Sequence, residues 1–389
     1  MPHAMQPVVF DQADPTERGR AHGELWREPI GALADIRLAL AVRRSRFGST
    51  EHVQQAAGAH LPVLERHLPG LHAELLGIAE GANMSPEDIV VLNHYTDLRD
   101  VPPSAVGLPS SEAEQADADP GGCTSIYFTG VEGPVLGQTW DMHASAEPFV
   151  RMMSVAPKGT TQQSLCFTLT GCLGMAGLGQ DAVAVTINNL SSTDGGVGVV
   201  WPAVVRAMLD APSATDARER LYALPLSSGH YYTIADGRDF FGVESSGQRK
   251  VLTQVGPRAA HLHTNHCFDP VLRQHEAVPR GSTSFARLNM ATTLYAQHRP
   301  STLDELWTLL GSHEGAMQGQ LCTHQDEVHG DDSFSRTCGR LAIRLRTGEV
   351  RAARGCSKND AGIDLKMGRY NAPPALPPGK MSRFATVKG

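Results

Sequence analysis

The pattern of apolar and polar positions predicts two regions that differ in secondary structure. Up to about residue 100 the apolar residues recur at helical spacing, and helix-start signals stand at Asp14-Pro15 and Ser85-Pro86. From residue 123 onward the chain consists of short runs rich in β-branched and aromatic residues, separated by glycine or polar turns, which is typical of strands. Helices are predicted in the first region at 15–42, 51–66, 71–80 (closed by Gly81) and 86–95.

The second region predicts the fold class. Its strands follow one another at hairpin distances, and a final hairpin is expected from 340–347 with 349–355. Predicted helices interrupt the strands at 201–209, 214–222, 284–297 and 303–310. Because consecutive hairpins imply mostly antiparallel sheets, we expect an α+β protein rather than a doubly wound α/β protein.

Residues 101–122 separate the two regions. This segment carries four acidic residues, no lysine or arginine, three prolines before residue 110 and a Gly-Gly end. Such a composition cannot bury enough apolar surface to order itself, so we expect an exposed acidic linker. The chain is thereby divided into a helical piece, 1–122, and a β-rich piece, 123–389, which together would form one domain.

Charge and hydropathy exclude several classes of function. The net charge is −7 and no basic run occurs, which argues against nucleic-acid binding. No apolar run reaches the length of a membrane helix, and the N-terminus lacks the apolar segment of a signal peptide. We therefore expect a cytoplasmic protein that binds neither nucleic acid nor membranes.

The cysteines and histidines give no metal motif. None of the seven cysteines forms a C-x-x-C pair, so most are expected to be reduced and buried. His261, His263, His266 and Cys267 fall within seven residues, but alternate residues of a strand face opposite sides and no second ligand cluster stands at metal-site spacing. Neither a metal nor a cofactor is expected, and the role of the three histidines stays open.

The junction between the two regions carries the clearest chemical signal. Cys123 opens the first strand and follows Gly121 and Gly122. Glycine adopts backbone angles closed to other residues, which would help a thiol to attack the carbonyl just before it. Cleavage there would leave Cys123 with a free α-amine, whose ordinary pKa of about 7.7–8.0 suits a general base for its own thiol. N-terminal-nucleophile hydrolases use their N-terminal residue in this way, with its α-amine as the base for its own side chain.

Four stretches together resemble one known family. They are ELLGIAEGANMSPEDIVVLN (74–93), GGCTSIYF (121–128), GPVLGQTWDMH (133–143) and HTNHC (263–267). They resemble the self-processing cysteine N-terminal-nucleophile hydrolases typified by fungal isopenicillin N acyltransferase, which include the bacterial carcinine-hydrolase-like and β-alanyl-amine hydrolases. In that family the aspartate follows the nucleophile by 18 residues, as Asp141 follows Cys123 here. The resemblance implies an αββα sandwich, with mostly antiparallel sheets between helical layers.

The resemblance also implies residue roles. Cys123 would be the nucleophile for cleavage after Gly122 and for turnover, and Asn265 would donate its amide to an oxyanion hole, where such a donor contributes about 2.7–4 kcal/mol. Asp141 would orient the new amine or help to bind substrate. Ser125 lies on the same strand face as Cys123 and is a candidate hydrogen-bond partner of its thiol or of the scissile carbonyl. Arg336 is the candidate charge partner of Asp141 or anchor for a substrate carboxylate.

The implied function is an autocatalytically processed cysteine amidase that hydrolyses a small N-acyl amide through an acyl-thioester on Cys123. One alternative is an acyltransferase that passes the acyl group to an amine, and another is a non-catalytic relative that binds a ligand. Hydrolysis is favoured because nothing in the sequence suggests a specialised acceptor. The expected partners are a small-molecule amide and the chain's own cleaved N-terminal piece, and the sequence leaves homo-oligomerisation open.

Overall fold

Two stacked β-sheets form the centre of the protein, in a computed structural model that describes residues 4–109 and 122–374. The strands are β1 Val8–Phe10, β2 Thr124–Gly130, β3 Gly133–His143, β4 Val150–Val155, β5 Ser164–Leu169, β6 Ala176–Gly179, β7 Ala184–Leu190, β8 Gly229–Ala235, β9 Phe240–Ser245, β10 Lys250–Val255, β11 His261–His263, β12 Ser335–Arg344, β13 Glu349–Arg354 and β14 Ile363–Lys366. One sheet has the order β1-β4-β5-β6-β7-β8-β9-β10, and the other has the order β11-β2-β3-β12-β13-β14.

Helices cover both outer faces of this pair of sheets. They are α1 Pro15–Leu25, α2 Arg27–Arg44, α3 Thr50–Gly58, α4 Leu61–His67, α5 Pro69–Ala82, α6 Pro86–Leu98, α7 Trp201–Leu209, α8 Ala214–Ala223, α9 Ser284–His298, α10 Leu303–Leu310 and α11 Gln325–His329, with short 3₁₀ turns at 103–106, 144–149, 272–275 and 317–319. Helix α7 packs on β6 and β7 of the eight-stranded sheet, whereas α9 and α10 pack on β2, β3, β11 and β12 of the six-stranded sheet. Strands β2 and β3 contact β7 between the sheets.

This arrangement confirms the α+β, αββα expectation. Within the described ranges every named strand pair is antiparallel except β1 with β4, which is parallel. Strand β1 was not foreseen, because three residues are too short for a periodic signal. In the same ranges no helix combines the length and the apolar character that crossing a bilayer requires.

The helical region follows the sequence signals at its start sites. The side chain of Asp14 accepts a hydrogen bond from the Glu17 amide at the start of α1, and the Ser85 hydroxyl accepts one from the Asp88 amide at the start of α6. The predicted helix 15–42 is divided at Trp26 into α1 and α2, and the predicted helix 51–66 is divided into α3 and α4.

Gly81 does not cap α5, contrary to the sequence prediction. The helix ends at Ala82, and its capping residue Asn83 adopts the left-handed conformation (φ 58°). A Cβ atom on Gly81 would lie 2.2 Å from the carbonyl oxygen of Arg20, and one on Gly77 would lie 2.2 Å from that of Thr16. These glycines therefore allow α5 to pack backbone against backbone on α1.

The first residues of the acidic segment are ordered against the protein rather than exposed. Val101 is fully buried, Pro103 is buried, and a 3₁₀ turn spans 103–106. The expectation of an exposed linker is therefore wrong for Val101 and Pro103, whereas Ser104, Ala105, Gly107 and Pro109 are exposed. Residues 110–121 lie outside the described residues.

A buried ionic cluster joins the two sides of the proposed cleavage point. Glu74 on α5 accepts hydrogen bonds from Arg18 on α1 (2.8 and 2.9 Å) and from Arg206 on α7 (3.0 Å). All three side chains are buried. Burial would raise the pKa of Glu74, but the two guanidinium groups outweigh it and hold the pKa below its ordinary value. The cluster ties the helices of residues 1–122 to the later part of the chain.

Glu74→Gln should lower the free energy of unfolding by about 3–5 kcal/mol, because it removes the carboxylate to which two buried guanidinium groups are hydrogen-bonded. The matched control is Glu80→Gln on the same helix, whose ion pair with Arg20 is solvent-exposed and should contribute little to stability. Urea unfolding followed by circular dichroism measures both values. Equal losses in the two variants would contradict the assigned role of Glu74.

Candidate active site

The β2–β3 hairpin brings Cys123 and Asp141 together. Its strands pair from Gly130 opposite Gly133, across a two-residue turn, to Thr124 opposite Thr139. Residues 18 apart therefore meet at the open end of the hairpin, where the Asp141 amide lies 3.5 Å from the Cys123 sulfur as its hydrogen-bond donor. This geometry explains the spacing noted in the sequence.

The thiol of Cys123 is buried, with 6% of the residue exposed. Its sulfur lies 3.8 Å from the Asp141 carbonyl oxygen. Burial is the main cause that raises the pKa of Cys123 to about 12, and the Asp141 carboxylate adds to the rise, while Arg287 opposes it. The intact chain therefore holds this thiol in its protonated form at neutral pH, and nucleophilic attack requires a base.

Two side chains that the sequence did not reveal hold the Cys123 carbonyl. Arg287 on α9 donates to this oxygen from Nη1 (2.7 Å), and Asn188 on β7 donates from Nδ2 (3.0 Å). Arg287 also donates to the Thr124 hydroxyl (3.1 Å) and is fully buried. Neither residue lies in a motif, so only the folded chain reveals that both converge on the main chain of Cys123.

The side chain of Asn265 lies against Gly122, the residue before Cys123. It follows β11, whose His263 pairs with Ser125 of β2. Its Oδ1 accepts from Arg287 Nη2 (2.9 Å), and its Nδ2 donates to the Asn189 carbonyl (2.9 Å). A Cβ atom on Gly122 would lie 2.3 Å from Asn265 Oδ1, so this close approach requires glycine.

The carboxylate of Asp141 is held by a neighbouring strand. Thr337 lies opposite Asp141 in the β3–β12 pairing, and its hydroxyl donates to Asp141 Oδ1 (2.7 Å). Asp141 is buried, with 3% exposed. The sequence contained no signal for Thr337, because its position depends on how β12 adds to the hairpin.

Ser125 is linked to Cys123 through an intermediate residue. Its hydroxyl donates to Asn188 Oδ1 (2.5 Å) and accepts from the Thr186 hydroxyl (3.3 Å). Asn188 in turn holds the Cys123 carbonyl. The described contacts of Ser125 thus connect the two sheets beneath the site, and they differ from the predicted bond to the thiol or the scissile carbonyl.

Arg336 is bound to acidic residues other than the predicted one. Its guanidinium lies 3.3 Å from Glu147, 3.5 Å from Asp326 and 3.4 Å from Glu327. Arg336 and Thr337 are consecutive on β12 and point to opposite faces of the sheet, so Thr337 reaches Asp141 while Arg336 turns away. The predicted pairing of Arg336 with Asp141 is corrected accordingly, and Arg336 is not among the residues that line the cleft at Cys123.

Cys123, Asp141, Asn265 and Gly122 all line one cleft, which is partly open to solvent. Its walls include the aromatic side chains Tyr95, Trp140 and Trp201, together with Arg99 and His230. The guanidinium of Arg99 lies 5.6 Å from the centre of the Tyr95 ring. The cleft therefore combines apolar walls with polar and cationic groups around a buried thiol.

The three neighbouring histidines each have a separate hydrogen-bond partner. His261 bonds to the Gly256 carbonyl, His263 to the Glu244 carboxylate and His266 to the Ser284 hydroxyl, each at 2.8 Å. These contacts stabilise the segment that leads into and out of Asn265.

Known proteins resemble this chain in sequence and in structure. The family model described as acyl-coenzyme A:6-aminopenicillanic acid acyl-transferase matches residues 128–331. The 40 kDa form of acyl-coenzyme A:6-aminopenicillanic-acid-acyltransferase of Emericella nidulans is 24% identical over 262 residues, which are 67% of this chain and 69% of that protein.

Two solved structures are similar at lower identity. The Caenorhabditis elegans N-acylethanolamine-hydrolyzing acid amidase ortholog is 14% identical, with a TM-score of 0.38 over 57% of this chain and 93% of that one. Penicillin V acylase from Agrobacterium tumefaciens is 13% identical, with a TM-score of 0.39 over 60% of this chain and 83% of that one.

The family match decides the classification, because it covers more than half of the chain and includes β3 with Asp141 and the segment with Asn265. The resemblance found in the sequence is thereby confirmed. The chain belongs to the acyl-coenzyme A:6-aminopenicillanic acid acyl-transferase family and is an enzyme.

Proposed function

We propose that the chain cleaves itself between Gly122 and Cys123 and then works as a cysteine amidase on a small N-acyl amide. The observation that carries this proposal is the convergence at one residue. The Cys123 sulfur accepts a hydrogen bond from the Asp141 amide. The Cys123 carbonyl accepts hydrogen bonds from Arg287 and Asn188. The Asn265 carboxamide lies against Gly122.

Self-cleavage would use the groups around Gly122. The Cys123 sulfur attacks the Gly122 carbonyl carbon, the C–N bond breaks, and the nitrogen of Cys123 leaves as an amine that takes up the thiol proton. Water then hydrolyses the thioester and releases the Gly122 carboxylate. The amide of Asn265 is the proposed donor to the oxyanion that forms, and Arg287 positions that amide by holding its Oδ1.

Turnover would repeat this chemistry with the new α-amine as base. The amine takes the thiol proton, the thiolate attacks the substrate carbonyl, and the amine returns the proton to the leaving nitrogen. Water then attacks the acyl-thioester and releases the acid. The Asp141 carboxylate is the proposed partner of the protonated amine, because Thr337 holds it beside Cys123.

The proposed substrate is a small acyl amide whose acyl or amine portion is polar. The aromatic walls of the cleft suit an apolar part of such a molecule, and Arg99 and His230 suit an acceptor group on the polar part. Hydrolysis is proposed over transfer because water needs no specialised acceptor pocket. Product analysis with and without an added amine acceptor tests this choice.

Processing should give pieces of 122 and 267 residues that remain associated, and the Glu74 cluster supports their association. Cys123→Ala should remain at full length and lack amidase activity. Cys166→Ala, which changes a buried cysteine on β5, is the matched control and should be processed normally. Intact mass spectrometry measures each species. A fully active wild-type protein of 389 residues, or cleavage in Cys123→Ala, would contradict the proposal.

Asn265→Ala should lower kcat by about 10²–10³-fold with a smaller change in KM, because an oxyanion donor acts mainly in the transition state. Asn289→Ala, which changes an exposed asparagine on α9, is the control for the loss of a carboxamide. The comparison uses processed enzyme and steady-state kinetics. A change in KM with kcat unchanged would assign Asn265 to substrate binding instead.

Activity should rise with pH through the pKa of the Cys123 amine, since only the neutral amine accepts the thiol proton. The ordinary value of about 7.7–8.0 should be lowered by burial, which disfavours the ammonium form. Residues 1–122 coexpressed with 123–389 provide the native terminus, and one uncleavable residue added before Cys123 removes this base while it keeps the thiol. Equal kcat/KM and equal pH profiles in the two forms would refute the N-terminal-nucleophile mechanism.

A further inference from the structure

We propose that His313, Cys322, His324 and Cys356 form a structural binding site for one zinc ion. His313 follows α10, Cys322 and His324 lie before α11, and Cys356 follows β13. One ligand atom from each of the four residues lies within 4.8 Å of all the others. The site is separate from the cleft at Cys123, because none of the four residues lines that cleft.

The distances between the ligand atoms fit a single tetrahedral ion. The Nε2 atoms of His313 and His324 are 3.2 Å apart. The Cys356 sulfur is 3.4 Å from Nε2 of His313, and the Cys322 sulfur is 3.9 Å from Nε2 of His324. Zinc bonds of about 2.0–2.1 Å to nitrogen and about 2.3 Å to sulfur give tetrahedral edges of about 3.3 Å between nitrogens and about 3.6 Å between nitrogen and sulfur. The observed nitrogen–nitrogen distance and the two observed nitrogen–sulfur distances lie close to these expected values.

The choice of metal follows from the donor set. Two thiolates and two imidazoles in a tetrahedron favour zinc over magnesium or calcium, which prefer oxygen ligands. Four protein ligands fill the coordination shell and leave no position for substrate, which is typical of structural rather than catalytic zinc. The two thiolates also balance the charge of a divalent ion.

Groups around the ligands orient them toward a common centre. Glu327 Oε1 lies 3.1 Å from Nδ1 of His324, an arrangement that keeps a proton on Nδ1 and leaves Nε2 free to bind a metal. Nη2 of Arg336 lies 3.4 Å from the same carboxylate oxygen and from the same Nδ1. The Lys358 amide donates to the Cys356 sulfur (3.4 Å), and the backbone of Ser357 hydrogen-bonds to Cys322.

The site would fix a segment that supports the cleft. Thr323 stands between Cys322 and His324, and its amide donates to the Thr337 hydroxyl (2.9 Å). The Thr337 amide donates in return to the Thr323 carbonyl (3.0 Å), and the Thr337 hydroxyl donates to Asp141. A metal that holds Cys322 and His324 would therefore also hold the hydrogen-bond partner of Asp141.

The sequence suggested no metal, and the reason lies in the spacing. The ligands are separated by 9, 2 and 32 positions, and C-x-H between the second and third matches no common zinc motif. They come together through the fold: the Cys322 amide donates to the Ser312 carbonyl, and both His324 and Gly355 bond to the first residues of β12, at Arg336 and Cys338.

The decisive experiment measures metal in the full-length wild-type protein. Protein purified under reducing conditions from cells supplied with zinc should contain about one zinc per chain by inductively coupled plasma mass spectrometry. After removal of the metal, titration with Co²⁺ should give thiolate-to-cobalt charge-transfer bands and the visible bands of tetrahedral cobalt, which saturate at one ion per chain. These readouts do not depend on activity or on a substrate.

Two sets of variants locate the site. Cys322→Ser combined with Cys356→Ser should abolish the charge-transfer bands, whereas Cys166→Ser should retain them. Glu327→Gln should weaken zinc affinity by about 10–100-fold, because it removes the partner of His324 Nδ1. Glu314→Gln, which changes an exposed glutamate on the same segment, is the matched control and should leave the affinity unchanged.

Three results would overturn the proposal. They are reduced wild-type protein with no zinc and no cobalt bands, a zinc ion retained in the double serine variant, and a disulfide between Cys322 and Cys356 in protein purified without reductant and supplied with zinc. The zinc content and cobalt spectrum of the wild-type protein test the proposal without any variant. A variant that fails to fold therefore does not affect the conclusion.

Discussion

The buried guanidinium of Arg287 is the constraint on which the geometry around Cys123 depends. Burying a charge is unfavourable unless its N–H groups are paired, and here they bond to the Cys123 carbonyl, the Thr124 and Thr283 hydroxyls and Asn265 Oδ1. A shift of β2 or of the Asn265 segment would leave this charge without partners. The positions of the thiol and of the carboxamide are therefore coupled through one side chain of α9.

A second polar network fixes the two sheets against each other below the cleft. Gln138 on β3 exchanges hydrogen bonds with the backbone of Ile187 on β7, and Ser125 on β2 bonds to Asn188 on β7. Buried polar networks that are fully paired specify one arrangement, because any other arrangement leaves groups unsatisfied. An apolar interface would allow the sheets to slide more freely. The polar residues between the sheets thus set where β7 delivers Asn188 to the Cys123 carbonyl.

The sequence predicted what local spacing determines and missed what the tertiary fold determines. The bounds of α7 and α10 and the 18-residue spacing in the β2–β3 hairpin were readable, because periodicity and a short turn fix them. The roles of Arg287 and Asn188 could not be predicted from the sequence. Each is a single polar residue without a local pattern, and it acquires its contacts only when distant elements pack together. The prediction for Arg336 was wrong for a related reason. Its backbone lies on the strand that pairs with Asp141, but this does not determine the face of the sheet to which its side chain points.

The alternation of side chains along β12 connects the cleft with the proposed zinc site. Thr337 points to one face and holds Asp141, while Arg336 points to the other and contacts Glu327 and His324. The loop with Cys322 and His324 pairs with the same stretch of β12, through Thr323 with Thr337 and through the bridge between His324 and Arg336. Because β12 is hydrogen-bonded to β3 along most of its length, an ion that rigidifies this loop would restrict the motion of the strand that positions the aspartate next to the nucleophile. A structural metal would in this way contribute to the chemistry without contacting the substrate.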